Sequence, residues 1–200
     1  SQKYFTSYSL PIKRLLRTWI RVYAEYTKEY YNPHFTEFDL NKWMLQIDLN
    51  HRSKKRHKIR ISIAHGNADN ITYGSLLQST YFDRSYVFDK VRTEFVYKNK
   101  SDNMIEKLGI YMLLEQRYYE LESSQYSFDN WKYYLDGRAK VWMGWDVKKT
   151  VGIKTWYQYR WRNANTQIYG DFDWVDDIKS YGKHEIWIEL SFEFISDILY

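Results

Sequence analysis

Lys42-Trp43-Met44-Leu45-Gln46-Ile47-Asp48-Leu49-Asn50-His51-Arg52, followed after a short basic stretch by His57-Lys58-Ile59-Arg60-Ile61-Ser62-Ile63-Ala64-His65-Gly66, decides the fold. In the first segment Trp43, Leu45, Ile47 and Leu49 fall on one parity and Lys42, Gln46, Asp48, Asn50 and Arg52 on the other. The second sets Ile59, Ile61 and Ile63 against Lys58, Arg60 and Ser62. Side chains two residues apart share a face only in an extended chain, so the period of two reads as a pair of β-strands. The polar stretch Arg52-Ser53-Lys54-Lys55-Arg56 between them reads as a hairpin turn.

The same alternation recurs in both directions along the chain. It runs through Arg17–Tyr26, Val87–Lys98, Lys107–Tyr119, Trp131–Asp146, Val151–Arg162 and Glu185–Phe194, with weaker traces at Tyr4–Leu10, Ile71–Tyr81 and Gln167–Trp174. Polar connections are expected at Asn67-Ala68-Asp69-Asn70, Asn99-Lys100-Ser101-Asp102-Asn103 and Asn163-Ala164-Asn165. Two prolines and eight glycines in 200 residues leave no linker, so residues 1–200 read as a single domain. The fold class that follows is all-β, an antiparallel up-and-down arrangement of about twelve strands.

Alternation does not say which face is wet. In a soluble β-sandwich or jelly roll, the fold of a binding module or a viral coat subunit, the apolar set forms a core and the charges are solvated. Three features point instead to a transmembrane β-barrel of the bacterial outer membrane. The strands are of nearly uniform length, about ten to twelve residues, enough for a tilted strand to cross a bilayer. Aromatic residues, 20% of the chain, gather near the ends of the apolar stripes, among them Tyr23, Tyr26, Trp43, Tyr97, Trp131, Trp145 and Trp161. The charged face mixes both signs with large aromatics such as Trp142, Trp156 and Trp187, an odd composition for a plain solvated surface.

From Leu108 onward, Gly109-Ile110-Tyr111 leads to Gln116-Arg117-Tyr118-Tyr119-Glu120, a polar loop, and a long aromatic hairpin through Trp131 to Arg162. This half of the chain resembles the oligogalacturonate-specific porins, in which a strand with a Tyr-Arg-Tyr core precedes strands rich in Tyr, Trp and Arg. In that family the last strand closes on an aromatic residue, whereas here Phe194 is followed by Ile195 to Tyr200. The resemblance implies a monomeric twelve-stranded barrel whose lumen carries Arg and Lys tracks for acidic oligosaccharides.

On the polar face basic residues outnumber acidic ones about two to one, which in a narrow low-dielectric pore favours anions. The residues expected to line such a lumen are Arg60, Arg92, Arg117, Arg138, Lys140, Trp142 and Arg160. Arginine grips both oxygens of a carboxylate, and tryptophan stacks on sugar rings. The expected partners are membrane lipids and acidic saccharides, with no nucleic acid, cofactor or metal, and the expected activity is passive transport rather than catalysis.

Other signals carry less. The run His51–Lys58 suits phosphate groups but reads first as a solvated hairpin tip. Asp171, Asp173, Asp176 and Asp177 offer oxygen ligands at a spacing that fits no calcium loop. The five histidines are scattered, and no nucleophile elbow, phosphate loop or dinucleotide fingerprint occurs. The absence of cysteine excludes thiolate metal sites and disulfides.

Overall fold

A computed structural model describes residues 1–30, 39–53, 56–70, 85–99, 107–119, 133–148, 151–165 and 180–192. These hold nine strands: β1 (Gln2–Pro11), β2 (Thr18–Glu29), β3 (Leu40–Arg52), β4 (His57–Asn70), β5 (Tyr86–Lys98), β6 (Lys107–Tyr119), β7 (Tyr133–Lys148), β8 (Val151–Asn165) and β9 (Tyr181–Phe192). They form one sheet in chain order, each strand antiparallel to its sequence neighbours. Among the described residues β1 and β9 each keep one edge unpaired.

The all-β, up-and-down reading of the sequence therefore holds for these strands, and their ends are corrected in several places. Asn67–Asn70, expected as a turn, continues β4: Asn67 stands opposite Trp43 on one side and Val87 on the other. Asn163–Asn165 likewise belongs to β8, paired with Tyr133–Leu135. Asparagine disfavours strands locally, but ladders formed on both sides of β4 outweigh that preference. Arg17, read as a strand residue, sits in the turn before β2 with a φ of 62°. β9 starts at Tyr181, four residues before the alternation at Glu185 becomes visible, because Gly182 and His184 occupy the apolar parity there. Nine strands are described where about twelve were expected. The weaker segments Ile71–Tyr81 and Gln167–Trp174 lie outside the described residues.

Register assigns every strand residue to one of two faces. The apolar face carries Ile47, Leu49, Ile61, Ile63, Val91, Ile110, Met112, Val141, Ile186 and Ile188, all exposed, with Ile63 at 62% and Ile186 at 78%. The opposite face is polar and sheltered: Asp48 is 0%, Ser62 2% and Glu115 6% exposed. In water, exposing aliphatic groups and burying charges each carry a cost.

The sheltered face is filled by its own side chains. Phe88, fully buried, lies over Gly66, where a Cβ would stand 2.7 Å from the ring and 2.2 Å from the Trp43 carbonyl oxygen. Ala64 and Ala68 flank that glycine on the same face, and Tyr86 packs beside Phe88. Small residues on β4 thus make room for the large rings of β5. The same device appears at Gly109 of β6, which is covered by the indole of Trp142.

Candidate functional site: a cationic and aromatic face on β6 to β9

The polar face divides into two regions with different charge balance. From β2 to β5 most of its cations stand beside a carboxylate, although Arg92 Nε is buried without a hydrogen-bond partner. Asp48 accepts hydrogen bonds from Arg21 and from Gln46 Nε2, the latter at 2.6 Å. Arg60 donates through Nε to Asn50 Oδ1 at 3.1 Å and lies 3.7 Å from Glu94, which also has Lys58 and Arg92 within 4 Å.

Cross-strand register arranges the other region, β6 to β9, in rows running across the strands. In the first, Glu115, Asp136, Arg162 and Tyr181 stand side by side. Glu115 accepts from Arg117 Nε at 2.7 Å and pairs with Lys90 at 2.7 Å. Asp136 is gripped at both oxygens by Arg162, at 2.6 and 3.0 Å. This planar two-point contact is the arrangement in which arginine holds a carboxylate best.

The second row is Leu113, Arg138, Arg160 and Lys183, three cations directly opposite one another. Like charges facing across strands repel. Lys183 pairs along its own strand with Glu185 at 2.9 Å. Among the described residues no carboxylate lies within ion-pair distance of Arg138 or Arg160, and Arg138 Nε is buried without a hydrogen-bond partner. Both arginines line a cleft of about 150 Å³ together with Leu113, Asp136, Arg162 and Tyr181. A buried guanidinium donor with no protein acceptor, beside a second guanidinium that faces no carboxylate, has the chemistry to hold an oxyanion.

Beyond Tyr111, Lys140, Gln158 and Glu185 in the third row comes an aromatic one: Gly109, Trp142, Trp156 and Trp187. Trp156 and Trp187 stack with centroids 6.2 Å apart, and Lys140 Nζ lies 4.1 Å above the Trp156 ring. Lys154 sits 5.4 Å from the same ring and 3.6 Å from Glu189.

Of the residues singled out in the sequence, Arg117, Arg138 and Arg160 line one cleft, and Lys140 and Trp142 continue from it along β7. Arg60 and Arg92 stand apart from it on β4 and β5, gathered around Glu94. Lys183 and Tyr181 escaped the sequence reading because they precede the visible alternation of β9. Among the described residues no group of three His, Asp or Glu side chains is placed to hold a metal ion.

Compared with known proteins, the chain matches no family model, no curated protein and no solved structure.

Proposed function

We propose that the sheet is part of a β-barrel spanning the bacterial outer membrane, and that the protein is a passive, anion-preferring channel for acidic oligosaccharides. The observation that carries this reading is the inversion of the two faces. Apolar residues, aliphatic on most strands and mainly aromatic on β8, cover the more exposed side from β2 to β9, while carboxylates, arginines and lysines gather on the other side and shelter one another most closely before β9. Hydrocarbon is the solvent that makes such a sheet stable, since it takes up the aliphatic face without cost and strands joined in a closed ring leave no backbone group unpaired. Closure would bring the β1 side to the β9 side, directly or through further strands.

Anion preference follows from the row of Arg138, Arg160 and Lys183. In a lumen of low dielectric an unpaired guanidinium pair lowers the energy of a passing carboxylate more than that of any cation. The indoles of Trp142, Trp156 and Trp187 supply flat apolar surface for sugar rings one stretch further along the same wall. The sequence resemblance to oligogalacturonate-specific porins agrees with this combination of charge and rings.

Reversal potentials across planar bilayers under a salt gradient test the proposal, with wild type compared against Arg138→Ser/Arg160→Ser. The expected result is anion selectivity that falls in the variant, together with block of the wild-type current by an oligogalacturonate and not by a neutral oligosaccharide of equal length. Unchanged selectivity would remove the role of the two arginines. A chain that purifies as a soluble monomer without detergent and never conducts would return the reading to a soluble β-sandwich or jelly-roll binding module.

A further inference from the structure

The two ends of the sheet differ in both connection length and charge. At one end the connections β1–β2, β3–β4, β5–β6 and β7–β8 span residues 12–17, 53–56, 99–106 and 149–150. They contain eight basic residues, Lys13, Arg14, Arg17, Lys54, Lys55, Arg56, Lys100 and Lys149, against two acidic ones, Asp102 and Glu106. The four connections at the other end, residues 30–39, 71–85, 120–132 and 166–180, contain ten acidic residues against three basic ones.

The described part of the short-connection end is a continuous cationic rim. Arg52 N donates to Arg17 O at 3.0 Å, joining the β1–β2 turn to the β3–β4 hairpin, and Lys98 N donates to Arg56 O at 2.7 Å, joining that hairpin to β5. Lys13, Arg14, Arg17, Arg52, Arg56 and Lys98 are all exposed. Among the described residues no carboxylate lies within ion-pair distance of any of the six. Between these cations Leu15 and Leu16 project at 56% and 83% exposure. They are held out by a turn in which Ile12 N donates to Thr18 O, Leu15 N to Ile12 O and Thr18 N to Leu15 O, closed by the left-handed backbone of Arg17. On the apolar face just inside the rim, the rings of His57 and Tyr97 stack 5.2 Å apart.

A water-facing turn gains nothing by holding two adjacent leucines in solvent. Under a layer of lipid headgroups both features find a partner: the leucines reach the acyl boundary, and the cations meet phosphates. We propose that this rim is a docking collar for the headgroups of anionic phospholipids in the leaflet it faces. The occupant is phosphatidylglycerol-like, a lipid with a net negative headgroup beside an acyl layer, because the rim combines unpaired cations with projecting aliphatic groups and a bare phosphate would use only the first. The inference rests on the membrane-spanning reading above and adds orientation and lipid specificity to it.

The test titrates phosphatidylglycerol, and in parallel phosphatidylcholine of the same chains, onto the detergent-solubilised full chain. Wild type is compared with Lys13→Ser/Arg14→Ser/Arg56→Ser and with the charge-retaining Arg14→Lys/Arg56→Lys. Each basic residue near an anionic surface contributes roughly fivefold, so the Ser variant should lose the preference for phosphatidylglycerol by roughly a hundredfold at low salt. The Lys variant should keep it, and added salt should weaken it in wild type. Equal binding of the two lipids by wild type, or a preference untouched by the three Ser substitutions, overturns the collar and leaves the barrel standing. A chain that stays soluble without detergent and inserts into vesicles of neither lipid overturns both.

Discussion

Glu115→Gln removes one negative charge from an enclosed ionic cluster on the polar face and leaves its shape intact. Glu115 is 6% exposed and takes Lys90 at 2.7 Å, Arg117 Nη2 at 2.6 Å and Arg117 Nε at 2.7 Å. Stripping one partner from a fully buried ion pair costs about 3–5 kcal/mol, because the remaining charges are left without compensation. Here the Lys90 and Arg117 side chains are 22% and 26% exposed. Water therefore reaches part of each, and the amide oxygen of glutamine still accepts one hydrogen bond. The expected loss is about 2–3 kcal/mol. Equilibrium urea unfolding of the detergent-folded protein, followed by tryptophan fluorescence, measures it as a fall in midpoint at constant slope. Glu189→Gln, on the polar face, is the internal comparison. Its partner Lys154 lies 3.6 Å away, but the side chains are 51% and 42% exposed, so the change should cost under about 0.5 kcal/mol. Adding Lys90→Gln to Glu115→Gln removes one of the stranded cations and should restore about 1 kcal/mol. Equal costs for the Glu115 and Glu189 variants, or strict additivity in the double variant, would show that the cluster is not enclosed as described.

Ile63 stands at the middle of β4 on the apolar face, and Ile63→Arg should destabilise the protein in bilayers by about 2–4 kcal/mol; refolding equilibria in lipid vesicles would measure it, and a change within about 0.5 kcal/mol is what a water-exposed site would give. Gly66→Ala places a methyl group against the Trp43 carbonyl and the Phe88 ring, so it should lower the urea midpoint by an amount equivalent to about 1–3 kcal/mol; pairing it with Phe88→Leu, which shortens the overlying side chain, should recover part of the loss. Replacing Trp156 and Trp187 together by Ala should weaken saccharide block of the channel current by roughly tenfold or more while leaving the reversal potential in simple salt near its wild-type value, because the rings offer stacking surface and no charge.

The two-faced pattern was legible residue by residue: Ile59, Ile61 and Ile63 against Arg60 and Ser62 say strand without any knowledge of partners. Strand ends were less so. Asn67 and Asn163 carry a local preference for turns, yet each stands in a ladder whose hydrogen bonds come from residues tens of positions away. The division of the basic residues into paired and unpaired ones could not be read at all. Arg162 and Asp136 are 26 positions apart and Arg21 and Asp48 are 27, so their meeting depends on the register of whole hairpins. A shift of two residues in β8 would leave every side chain on its proper face and still hand Asp136 a different partner. The sequence reading chose Arg60, Arg92, Arg117, Arg138 and Arg160 on an equal footing. Three of them turn out to stand beside Glu94 or Glu115, whereas among the described residues Arg138 and Arg160 have no carboxylate within ion-pair distance.

The strictly sequential strand order has a consequence for how this architecture changes over time. Among the described residues each strand is hydrogen-bonded only to the strands before and after it in the chain, so a hairpin is an exchangeable module bounded by its own two connections. Duplicating or deleting one keeps every other residue on its original face and every connection at its original end. Gain or loss of a single strand reverses the direction of all that follow, moving the short basic connections downstream to the end now occupied by the long acidic ones. Growth of the sheet is thus confined to steps of two strands. The basic and acidic ends can stay distinct through such steps without any compensating substitution.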